Sequence, residues 1–189
     1  MNTYHFKLLD PGDRNPQRRD ALAERSLPET LSSHQEAARH YQPDDDLIDA
    51  VNVALAVGAP LLLTGEPGTG KTQVAYFLAW YFELDTEKQP FTLSVRSTTT
   101  ADDLLYHFDA VAYLHAAHDP ERSGKPLDRA EFIKPGPLWQ AYECEGPAVV
   151  LIDEVDKAPR DFPNDILREI ENMSFKIMET GEVVTADPS

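Results

Sequence analysis

The stretch GEPGTGKT, Gly65 to Thr72, constrains this chain more than any other. It places two glycines with four residues between them and follows the second with Lys and Thr, the spacing of a phosphate-binding loop. The residue types follow from the chemistry. Glycine takes positive φ and lets backbone approach a phosphate with no Cβ in the way. The amides from Gly68 onward can then converge at the positive end of the helix that follows. Gly65, Glu66, Pro67, Gly68, Thr69, Gly70, Lys71 and Thr72 are the expected nucleotide-binding residues. In such a loop Lys71 reaches the β- and γ-phosphates and the Thr72 hydroxyl ligates Mg²⁺.

The flanks supply the context that this motif needs. PLLLT, Pro60 to Thr64, reads as a short strand before the loop. After it, Val74, Phe77, Leu78 and Tyr81 recur at spacings of three and four and predict a helix. Upstream, Leu47, Ile48, Val51 and Leu55 share one helical face, with Gly58 as terminator. Downstream, FTLSV alternates as a second strand, and Thr100 with Asp103 resembles a capping box opening one helix through DDLLYHFDAVAYLHAA. GPLWQAYE predicts a short helix and AVVLI a third strand, apolar enough to be covered on both faces. A helix over DFPNDILREIENM should bury Ile166, Leu167 and Ile170, and SFKIMETGEVVTA reads as a hairpin turning at Thr180-Gly181. Strands alternating with helices argue for an α/β fold with a parallel sheet. Residues 1–42 lack sustained periodicity and read as a flexible arm, with a short helix placed near ETLSSHQEAARHY; residues 43–189 form the core.

The third strand ends in two adjacent acids, Asp153 and Glu154. Neighbouring like charges repel, and each resists burial. The pair makes sense beside a cation and a reacting water. Asp153 is then the outer partner of Mg²⁺, and Glu154 polarises the water that attacks the γ-phosphate.

LLLTGEPGTGKT together with VVLIDEVDKAPRDFPNDIL resembles the AAA+ ATPases, within them the MoxR-like and dynein-related branch. The resemblance covers about Asp44 to Ala186. It implies a P-loop NTPase fold and Mg²⁺-dependent ATP hydrolysis that drives a ring, usually hexameric, to remodel a client protein or complex. Lys71 and Glu154 carry over as catalytic groups, and Thr72 and Asp153 as metal ligands. Ser97 and Thr98 are the candidates for a group that gates Glu154. The family continues into a strand with a polar sensor, an arginine finger and a helical lid, whereas this chain stops at TADPS. In the family that strand lies between the first and third. The resemblance therefore implies an incomplete core. It is part of a longer chain, or is completed by a partner subunit, or is a remnant that binds nucleotide as a switch without turnover.

A small-molecule kinase would use the same loop, but the Asp-Glu pair suits water activation and no arginine-rich lid is evident. Absence of an NKxD-type guanine reader favours ATP. His107, Asp109, His115 and His118 crowd one segment without completing a metal-ligand pattern. Lys157 and Arg160 are ordinary loop charges or cations that act on the site. The stretch from His115 to Gly136 is an insertion used for ring or client contacts, or a solvated loop.

Charge narrows the partners: 33 acids against 17 bases give a net charge of −16, which repels nucleic acid and anionic membrane at long range. The lone Cys144 excludes an internal disulfide, and neither a leader of signal type nor an apolar run of spanning length is legible. These features read as a cytoplasmic protein.

Overall fold

The computed structural model describes residues 33–84, 87–119 and 127–186. The chain divides into a unit Met1–Ser33, of which only Ser33 is described, and a unit His34–Ser189. Most of the stretch read as an arm therefore lies outside the described residues, as does the middle of the His115–Gly136 insertion.

In the second unit, helix α1 (His34–Ala38) is followed by α2 (Asp45–Val57), whose N-cap Asp44 accepts from the Leu47 amide at 2.8 Å and whose terminator Gly58 sits at φ 65°. Gly58 is the end that the sequence identified, and the Asp44 cap accounts for the other. Leu47, Ile48, Val51 and Leu55 share one face of α2 as read, yet no residue of the helix is buried, and Ile48 and Leu55 are exposed. Helix α3 (Lys71–Tyr81) follows the glycine-rich turn and buries Val74, Ala75 and Ala79, while Tyr81 points outward.

The run Pro60–Thr64 departs from expectation. It belongs to no strand, its backbone makes no hydrogen bonds among the described residues, and Leu62 is 69% exposed. An apolar run is a strand only when a neighbour supplies a ladder.

The other two predicted strands do pair. Strand β1 (Phe91–Ser94) lies parallel to the Val150–Asp153 strand, with Phe91 opposite Val150 and Ser94 opposite Asp153. Buried Gln89 anchors the start of this pair: its Oε1 accepts from the Val149 amide at 2.9 Å and its Nε2 donates to the Pro147 carbonyl at 3.3 Å. The result is a small parallel sheet flanked by helices, an α/β arrangement.

The long helix expected after Thr100 is broken. The Thr100–Asp103 box forms, with the Thr100 amide donating to Asp103 Oδ2 at 2.8 Å, but α4 (Asp102–Leu105) lasts a single turn. The chain then extends as β2 (Tyr106–Phe108), antiparallel to β3 (Ile133–Pro135), before Asp109 caps α5 (Ala110–Ala117). Tyr-His-Phe suits a strand better than a helix, and a remote partner decides the matter. Gly136 makes this junction possible, since a Cβ there would lie 2.6 Å from the Leu104 carbonyl oxygen.

Helix α6 (Pro137–Tyr142), β4 (Val150–Asp153), α7 (Phe162–Asn172) and the hairpin β5 (Ser174–Lys176) to β6 (Val183–Thr185) complete the order. The hairpin turns at Gly181, φ 81°, as the sequence predicts. Its strands, β1, α4, α6 and α7 enclose one apolar cluster around Val95, Leu104, Phe162 and Ile177, the largest fully buried side chains. Ile166 joins it and Ile170 packs against it, whereas Leu167, expected inside, is exposed. Trp139 lies at its edge and Trp80 is exposed.

Candidate functional site

The glycine-rich turn adopts the backbone that its sequence demands. Gly65, Gly68 and Gly70 all have positive φ, at 148°, 80° and 82°. Gly70 is the N-cap of α3 and provides no side-chain cap, so the first amides of that helix have no acceptor from a capping side chain. The Thr69 hydroxyl donates to the Glu66 carbonyl at 2.9 Å, closing the turn.

Lys71 is on the first turn of α3 and reaches back across the loop. Its Nζ donates to the carbonyls of Gly65 at 2.9 Å and Glu66 at 2.7 Å. The ammonium is thus held against the backbone of the loop itself. Pro67 and Glu66 form the exposed crest of the turn.

Thr72 joins this loop to the distant acids. Its hydroxyl donates to Asp153 Oδ2 at 3.0 Å, bridging α3 and the end of β4. The other Asp153 oxygen, Oδ1, accepts from the Glu154 amide at 2.9 Å. Glu154 has φ 59° and ψ 37°, a left-handed conformation that costs a non-glycine residue about 1–2 kcal/mol. That kink ends the strand and turns Glu154 into a short 3₁₀ turn, Val155–Lys157, where Lys157 Nζ pairs with Glu154 Oε1. The kink is how two consecutive acids acquire different partners rather than opposite sheet faces.

The predicted residues thus fall together: Gly65 to Thr72, Asp153 and, adjoining it, Glu154. Others do not. Ser97 and Thr98 are in an exposed turn and neither bonds to Glu154 among the described residues. Thr99, beside them, is the ordered one, accepting from the Arg96 amide at 2.9 Å. Arg160 is exposed, and His118 bonds through Nδ1 to the Leu114 carbonyl oxygen at 2.8 Å within its own helix.

Residues before Asp44 form a second layer that sequence reasoning did not find. His34 stacks on Tyr76 with ring centroids 4.8 Å apart, and Gln73 Nε2 donates to the His34 carbonyl at 2.7 Å. Tyr41 packs on Phe77, and a Cβ at Gly70 would lie 3.2 Å from its ring. Burial, and secondarily the Asp44 carboxylate, raise the Tyr41 phenol above its ordinary pKa. The only sequence signal was the aromatic and histidine content of HQEAARHY, which has no periodicity to identify a target.

The donor set fits a magnesium nucleotide: a cradle of amides with a lysine for phosphate, and a hydroxyl with a carboxylate for a hard cation. A glycine-rich turn between an apolar run and a helix, linked to acids at the end of a parallel strand, defines a phosphate-loop nucleotide-binding protein. The chain belongs to the dynein-related subfamily of AAA domains, whose family model matches residues 60–189. This membership carries the P-loop NTPase α/β fold, and members of the family generally bind ATP with Mg²⁺ and typically form oligomeric rings. The chain is also 27% identical over 142 residues to the protein named Uncharacterized protein YehL of Escherichia coli (strain K12), over 75% of this chain and 34% of that one. It therefore spans about a third of the length of this relative. No solved structure matches. No helix among the described residues is long and apolar enough to cross a membrane.

Proposed function

We propose that this chain is the nucleotide-binding part of a Mg²⁺-dependent ATPase of the MoxR-like branch, acting in a cytoplasmic ring, hexameric by resemblance, that remodels a client protein or complex. The observation that carries the reading is the Thr72–Asp153 hydrogen bond, which brings the phosphate loop and the acidic strand end into one site across 81 residues of sequence.

In this reading the amides of Gly68 to Thr72 bind the phosphates, and Lys71, already held over the loop, neutralises charge on the outer ones. Thr72 and Asp153 would hold Mg²⁺, whose chemistry is to neutralise the charge that develops on the transferred phosphoryl group. Glu154 accepts a proton from the attacking water and orients it. The unpaired backbone of Pro60–Thr64 supports a further proposal, that another strand, from a longer chain or a partner subunit, completes the sheet.

A thermal melt with Mg-ATP, beside Lys71→Ala, tests the binding site. At a hundredfold excess over Kd the ligand adds about 2.7 kcal/mol of stability, which Lys71→Ala should remove. Glu154→Gln should retain that shift and abolish turnover. Hydrolysis by Glu154→Gln at the wild-type rate would sink the role given to Glu154. The second reading is a nucleotide-dependent switch, favoured by the same unpaired run. It predicts partner association that requires nucleotide and persists in Glu154→Gln.

A further inference from the structure

We infer that Lys157 is the positioning residue for Glu154, fixing the direction of the carboxylate that acts on the attacking water; this presupposes the hydrolytic reading above. Three observations converge. First, Glu154 is held in the left-handed region at φ 59°, so its side chain leaves the strand along a path that the backbone alone does not favour. Second, the turn that follows is closed by hydrogen bonds, with the Lys157 amide donating to the Glu154 carbonyl at 2.9 Å and the Ala158 amide to the Val155 carbonyl at 3.1 Å. Residue 157 is thereby set beside residue 154 by the backbone before any charge acts. Third, Lys157 Nζ lies 2.5 Å from Glu154 Oε1. The pair engages Oε1, and a carboxylate carries a second oxygen, Oε2, able to accept a proton from water.

Thermodynamic support for the fold does not explain this pair. Lys157 and Glu154 side chains are 51% and 50% exposed, and such pairs contribute about 0–1 kcal/mol. Direction is another matter, because a misplacement of about 1 Å in a reacting group costs on the order of a hundredfold in rate. The ammonium also answers the repulsion raised by adjacent acids. Asp153 is satisfied by Thr72 and by the Glu154 amide, and Lys157 balances the remaining carboxylate.

The test is steady-state ATP hydrolysis and Mg-ATP affinity of the assembled ATPase that contains this chain, comparing wild type with Glu154→Gln, Lys157→Met and Lys157→Arg. Lys157→Met should lower kcat by about tenfold to a hundredfold while Kd stays within about twofold, and Lys157→Arg should recover most of the rate. Because the pair is half-exposed, raising salt from about 0.05 to 0.5 M should slow the wild type and leave Lys157→Met unaffected. A wild-type kcat in Lys157→Met, with Glu154→Gln inactive, overturns the inference and spares the ATPase reading. A parallel loss of affinity and rate also overturns it, making Lys157 a phosphate contact. No turnover by the wild type, or full turnover by Glu154→Gln, brings down the reading itself and this inference with it.

Discussion

Pro60–Thr64 and Val149–Asp153 are sequences of the same kind: short apolar runs that each end in the residues of the site. Their fates differ. The second pairs with Phe91–Ser94 along its length and packs against the main apolar cluster. The first pairs with no strand among the described residues and is largely exposed. Apolarity determines that a segment gains from burial, but a ladder requires a partner strand, and among the described residues only the second run has one. The site is built across this difference, with its loop on the unpaired run and its acids on the paired one, and Thr72–Asp153 as the link.

Substitutions can break that comparison. The largest effect belongs on the packed side: Phe162→Ala, at a position 2% exposed, should cost about 3–5 kcal/mol in urea unfolding. Gly70→Ala, between the two sides, should cost about 1–2 kcal/mol from positive φ alone, with further loss where the new methyl group meets Tyr41. Tyr41→Ala would relieve only the second part, so a double-mutant cycle separates them. On the unpaired side, Leu62→Ser should change stability by less than about 0.5 kcal/mol. A cost like that of Phe162→Ala would mean that Leu62 is buried in solution by a strand or subunit, and the two runs would be alike after all.

A separate effect is read against pH. Burial pushes the Tyr142 phenol up to about 12, and its hydroxyl donates to the Glu169 carbonyl at 2.8 Å. An unfolded tyrosine ionises near 10. Between these values the unfolded chain holds fewer protons than the folded one, so stability falls as pH rises. The contribution is fully present below pH 10 and is lost as pH passes 12. Denaturant midpoints across that window should decline in wild type, and less steeply in Tyr142→Phe.

Much of the local structure was legible because its causes are local. Gly58 ends a helix by its own backbone freedom, and Thr180-Gly181 turns the hairpin for the same reason. Tyr106–Phe108 was misread as helix because its partner strand is 27 residues downstream at the register Tyr106 opposite Pro135 and Phe108 opposite Ile133. Leu167 and Leu55 lie on faces that periodicity marks as apolar, yet both are exposed, since a period identifies a face without naming what covers it.

By itself the sequence determined the loop from Gly65 to Thr72, the pair Asp153-Glu154 and the family they belong to, because those are chemical requirements written in adjacent residues. Only the tertiary structure decided that Thr72 meets Asp153, that Glu154 turns toward Lys157, and that Tyr41 lies against Gly70. Each of these depends on segments brought together by packing, or on a backbone angle that no residue type announces.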